Sequence, residues 1–154
     1  MTTTTARRQI PTETVQRRPP VVPAAYDLLA TARHDLVLSM GTEVATERYA
    51  AAHLAALRTA AAVLAVRTRP AATTRPRNVW SMLTQVAPEL TEWAGFFAAG
   101  ATKRAAAEAG LSRLVSVRAA DDLLRDAPTF LALVETTLGV PHQPVFPQLA
   151  VQAG

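Results

Sequence analysis

The sequence predicts an all-α protein, an up-and-down four-helix bundle with disordered termini, and three observations predict it. In four separate segments apolar residues recur at spacings of three and four, which keeps them on one side of a helix. No segment shows the apolar–polar alternation of a half-buried strand. The segments are joined by stretches carrying Gly, Pro, Thr or Asn, the residues that stop and restart helices. The 154 residues, 49% of them apolar, suit one domain with tails. The expected limits are a tail over 1–22, a bundle over 23–139 and a tail over 140–154.

Residues 1–22 are rich in Thr, Arg and Pro and show no period, the composition of a disordered segment. Pro23 suits the first position of a helix. The residues after it present Ala25, Leu29, Ala32, Leu36 and Met40 on one face and Asp27, Thr31 and His34 on the other. Gly41 closes this helix, and Thr42 is the expected N-cap of the second, with Glu43 near its positive dipole end. The connection is short enough to make the pair an antiparallel hairpin.

The second segment, Thr42 to Arg67, is the one around which the chain is organised. Ala50, Leu54, Leu57, Ala61 and Leu64 form its expected stripe, and the many alanines let neighbouring helices approach closely. A helix of roughly 26 residues is about 39 Å long and needs partners along its whole length. Its apolar window, Tyr49–Val66, holds His53 and Arg58 and is mostly Ala, so the sequence reading expects no membrane span.

Residues 68–78 form a loop by their Pro and Thr content, and Asn78 can cap the next helix. The third segment runs to Gly110 with Trp80, Leu83, Ala87, Leu90, Ala94, Phe97 and Ala101 in strict alternation of three and four. Pro88 lies inside it. Because the phase is kept through Pro88, a bend within one helix is expected, with a fifth helix if the segment breaks there or at Gly100. The fourth segment carries Val117, Ala120, Leu124, Ala127, Leu131, Val134 and Leu138 between the N-cap Ser116 and the stop Gly139, with Pro128 inside. Asp121, Asp122 and Glu135 are expected in solvent, and the tail from 140 is expected to be disordered, with Val145–Phe146 as a docking candidate.

Composition narrows the chemistry. There is no Cys, which excludes disulfides and thiolate metal sites and suits a reducing cytoplasm. The N-terminus lacks the apolar core of a signal peptide. The six Gly residues are isolated, so no phosphate-cradling loop exists, and HExxH and nucleophile-elbow patterns are absent. His34, His53 and His142 have no Glu-x-x-His partners, and no metal or cofactor is expected. His34 reads as a solvated residue and His53 as a half-buried imidazole bonded to a neighbour. The net charge of +4 is concentrated in the first 22 residues and in Arg67, Arg69, Arg75 and Arg77. Those four arginines are candidates for contacts to RNA or DNA phosphates.

The hairpin YDLLATARHDLVLSMG with ATERYAAAHLAALRTAAAVL resembles the first two helices of HEPN domains. NVWSMLTQVAPELTEWAGFF and VSVRAADDLLRDAPTFLALVETTLG are similar to the third and fourth helices of a small actinobacterial branch of that superfamily. The resemblance covers about residues 22–139 and implies a four- to five-helix bundle that dimerises. It implies one of three roles: a metal-independent ribonuclease or toxin, a nucleotide binder, or a partner module. The nuclease motif of the superfamily is an Arg, four to six residues, and a His, near the join of the third and fourth helices. The corresponding region here offers Lys103, Arg104, Arg113 and Arg118 and no His, so no imidazole stands there as acid or base.

One formal match lies elsewhere, Arg48 and His53 in RYAAAH. Five residues of helix turn the second side chain about 140° away from the first. The expectation is a non-catalytic, cytoplasmic HEPN-like binding or partner module in a nucleic-acid-related process, and the resemblance implies that it is a homodimer. The alternatives are a ribonuclease using Arg48 and His53 and a purely structural interaction module.

Overall fold

A computed structural model describes residues 18–68 and 78–145. The elements are α1 (Pro23–Gly41), α2 (Ala45–Arg67), α3 (Val79–Val86), α4 (Thr91–Glu108) and α5 (Val117–Leu138), with single 3₁₀ turns at Pro88–Leu90 and Ser112–Leu114. Among the described residues there is no strand. The expected disorder of 1–17 and 146–154 concerns residues outside those described, as do Arg69, Arg75, Arg77 and Phe146.

Local chemistry sets the helix ends. Pro23 opens α1. The Trp80 amide donates to the Asn78 side chain at 2.9 Å, and the Ala119 amide donates to the Ser116 hydroxyl at 3.0 Å. Each satisfies an amide that a first turn leaves unpaired. Gly139 ends α5 with φ +72°, a left-handed conformation that glycine adopts without strain. The second helix departs from expectation. It is capped at Val44, and Thr42 instead accepts the Val44 amide at 3.3 Å while donating to Glu47 at 2.9 Å. Glu47, not Glu43, is the acid in the first turn.

α2 is central, touching all four other helices. Ser39 donates to the Arg48 carbonyl and Arg58 pairs with Asp35, so α1 and α2 are antiparallel. Arg48 pairs with Asp121 and Arg33 with Glu135, which sets α5 antiparallel to α1. The expected stripe of α2 is not its core face. Of its five residues only Leu64 is buried; Ala50, Leu54, Leu57 and Ala61 are half-buried, whereas Tyr49, Ala52, His53, Ala56, Thr59, Ala60 and Val63 are buried. A helix enclosed on several sides buries more than one stripe. Thr59 is tolerated in the core because its hydroxyl donates to the Ala55 carbonyl at 2.8 Å. By length and a mean hydropathy of 1.5 this helix would pass for a membrane span, contrary to the sequence reading, and 56% of that window is buried inside the bundle.

The third segment is two helices, not one bent helix. Ala87 leaves helical space at φ −138°, ψ 71°, and Pro88 opens the 3₁₀ turn. Trp80 packs on His53 while Arg67 bonds to Val86 and Glu89, so α3 advances in the same sense as α2. α4 returns in the opposite sense, with Phe97 against His53 and Gly100 against Tyr49. The predicted phase nevertheless holds: Trp80, Leu83, Ala87, Leu90, Ala94 and Phe97 are all buried, because both helices face the same core. Gly100 lies within α4 and does not interrupt it.

α5 buries Ala120, Leu123, Ala127, Phe130, Leu131, Val134 and Leu138, while Val117, the expected start of its stripe, is 61% exposed. The main error in the sequence reading of this helix is Glu135. Expected in solvent, it is fully buried, accepting from Arg33 at 2.6 Å, from the Gln143 amide at 3.2 Å, and bonding His142 Nδ1 at 3.0 Å. Its partner Arg33 lies 102 residues away in sequence, a pairing that no local pattern encodes. Residues 140–145 accordingly lie against the bundle, and Val140 and Val145 pack on the core.

Candidate functional site

One concave surface lies between α4 and α5, with α2 as its floor; a larger cavity, of about 520 Å³, lies between α1 and residues 140–143, lined by Tyr26, Leu29, Arg33 and Val140. Both α4 and α5 pack on α2, but their backbones stand apart. Rings bridge them: Trp93 stacks on Phe130 at 5.5 Å and Phe97 meets Phe130 at 5.1 Å. Rings hold helix axes further apart than alanines do, and cavities remain beside them. One, of about 210 Å³, is lined by Tyr49, His53, Phe96, Gly100, Lys103 and Leu123. It continues towards Asp122, Arg125 and Asp126 on α5, and a further pocket lies by Glu92 and Trp93. Phe96 borders all three.

His53 forms part of the floor. It is fully buried, more than the sequence reading allowed, and Nε2–H donates to the Phe97 carbonyl at 2.8 Å. Nδ1 has no partner among the described residues. Burial lowers its pKa, the Phe97 carbonyl raises it in part, and Arg104 opposes protonation further. The imidazole is therefore neutral at pH 7. Tyr49 donates to the Gly100 carbonyl at 3.3 Å, and its own pKa is raised by burial. Gly100 is what lets α2 approach α4 here, since a Cβ would stand 2.8 Å from the Tyr49 hydroxyl.

The residues nominated from sequence do not converge. Arg48 points to the α1–α2 turn, donating to the Thr42 and Glu43 carbonyls and to Asp121. His53 points to α4. Arg67 is bound at 2.5 Å to Glu89 and at 3.2 Å to the Val86 carbonyl, so its charge is engaged inside the fold. Partial burial raises the Glu89 pKa, but its backbone amide and Arg67 more than offset this and leave it below 4.5. Arg69, Arg75 and Arg77 lie outside the described residues. His34 is exposed, as expected. No three His, Asp or Glu side chains gather as a cation site among the described residues.

Sequence reasoning places Phe96 among four aromatics read as core and Lys103 as a cation near the helix join, but does not bring them together with Tyr49. Their shared surface depends on how two helices diverge, which no local pattern records.

A profile of the HEPN family described as SAV_6107-like matches residues 39–135, well over half of the chain. The chain belongs to that HEPN family. No curated protein and no solved structure matches it. In this HEPN chain the join of α4 and α5 carries Lys103, Arg104, Arg113 and Arg118 without a histidine. Arg104 pairs with Glu108 at 3.0 Å, while Arg113, Leu111 and Leu114 lie exposed on the connection.

Proposed function

We propose that this HEPN domain is a non-catalytic module that works as a homodimer and engages a macromolecular partner in a nucleic-acid-related process. The observation that carries the reading is the separation of Arg48 and His53. A phosphodiester cleaved through its 2′-hydroxyl needs a base, an acid and a cation around one phosphate. Arg48 is held by Asp121 at the far side of α2, and His53 is sealed beneath Phe97 with its Nε2 proton committed to a backbone carbonyl.

The nucleic-acid link rests on the superfamily and on the arginines of 67–77, and Arg67 is already ion-paired. The test has two arms. Purified protein incubated with single-stranded RNA in chelator is expected to leave it intact. Metal-free cleavage abolished by His53→Gln in a folded variant would overturn the non-catalytic reading in favour of the ribonuclease. For binding, affinity for RNA or DNA should fall about tenfold or more between low and physiological salt. It should fall again in the triple variant Arg69→Ala, Arg75→Ala, Arg77→Ala. Indifference to both removes the nucleic-acid part and leaves a protein-partner module.

A further inference from the structure

The outward face of α4 has no partner within the bundle. Glu92, Gly95, Phe96, Ala99 and Lys103 are all exposed there, and Phe96 is 48% exposed despite its ring. The spacing of 92, 96, 99 and 103 puts them in one row. Neither Glu92 nor Lys103 makes an ion pair among the described residues, whereas most charges on neighbouring helices do. Exposed Phe beside Gly and Ala is a knob beside a hole, and the row begins with an acid and ends with a base about 16 Å further on.

The row is complementary to itself. Laid antiparallel on a copy about a two-fold axis between 97 and 98, Glu92 faces Lys103, Phe96 faces Ala99, and each contact occurs twice. A two-fold interface must have this property, because the same patch serves both sides. Small residues let two helix axes approach to about 8 Å. The acidic end is reinforced by Asp126, which borders the same pocket as Glu92 and keeps a 3.8 Å contact with Arg125.

We infer that a second copy of this chain covers this face, with the two α4 helices antiparallel, Glu92 of each subunit paired to Lys103 of the other and Phe96 seated over Ala99. The inference rests on the dimeric reading above and assigns its surface. Charge complementarity names the occupant: an unrelated helix has no reason to present the reverse of this row. The pairing also covers the α4 side of the α4–α5 groove, at the mouth of the Tyr49–His53 cavity.

The test uses the full chain in sedimentation equilibrium, with circular dichroism to check that each variant folds. Wild type is expected to be a dimer. Glu92→Lys and Lys103→Glu each place like charges in register twice and should raise the dissociation constant about tenfold or more. An equimolar mixture of the two variants should recover a heterodimer of near wild-type affinity, because each new Lys then meets a new Glu. A monomeric wild type overturns both this assignment and the dimeric reading. A wild-type dimer indifferent to both variants overturns the assignment alone. So does a dimer weakened by each variant but not restored in the mixture.

Discussion

The two sides of α2 are built differently. Towards α1 and α5 the packing is close and buried charge is answered by charge: Asp35 by Arg58, and Glu135 by Arg33. Towards α3 and α4 the filler is aromatic, with Trp80, Trp93, Phe97 and Phe130 around His53. Small side chains with specific ion pairs fix register and leave little room. Rings fill more volume, space the helices apart and leave concave surface between α4 and α5. The aromatic side therefore carries the α4–α5 groove, and the tightly paired α1–α2 hairpin serves as scaffold.

The largest blow to that contrast is Phe97→Ala. Phe97 is fully buried and meets Trp80, Trp93, Phe96, Phe130 and His53. Its removal should cost about 3–5 kcal/mol in urea unfolding. A loss near 1 kcal/mol would mean that the rings are not what holds α4. On the other side, Glu135→Gln leaves Arg33 facing a neutral amide in a largely buried setting and should cost about 2 kcal/mol. Asp121→Asn is the comparison: its carboxylate is 56% exposed, and the change should stay within about 0.5 kcal/mol. Equal effects of the two would erase the distinction between a buried and a surface pair.

The last effect is the pH dependence that His53 contributes. Its pKa is lowered from 6.5 by burial, so the unfolded chain binds the proton more readily. The stability from neutral burial is complete above 6.5 and is lost as pH falls below it towards the folded value. The slope is at most about 1.4 kcal/mol per pH unit. Unfolding free energies between pH 7 and 5 should show this loss in wild type and a smaller one in His53→Gln. An identical slope in both would assign the acid sensitivity to other groups.

These residues also mark what could be read in advance. The buried rows of α1 and of the Trp80–Phe97 stretch were legible, as were the caps Asn78, Ser116 and Gly139, because each is fixed by neighbours within one or two turns. The row assigned to α2 was the wrong one. Leucine is a stronger hydrophobic signal than histidine, threonine or tyrosine, yet those three face the interior because carbonyls within reach accept their protons. Pro88 was visible, but whether it bends a helix or turns the chain back depended on α2 offering α3 and α4 separate places. Glu135 was misplaced for the same kind of reason, since its partner comes from another helix. The site was legible only in part: the divergence of Arg48 and His53 follows from helical rotation, whereas the groove around Phe96 does not.

Residue type at short range was enough for an all-α bundle, for the ends of most helices and for the absence of a histidine at the α4–α5 join. Which face of α2 is core, that the third segment doubles back, and that Glu135 and His53 are buried depended on the folded arrangement of the whole chain. The physical reason is that burial is a property of neighbours. A polar side chain enters a core when a distant element brings the charge or carbonyl that satisfies it, and that element's position is settled by the packing of the whole chain.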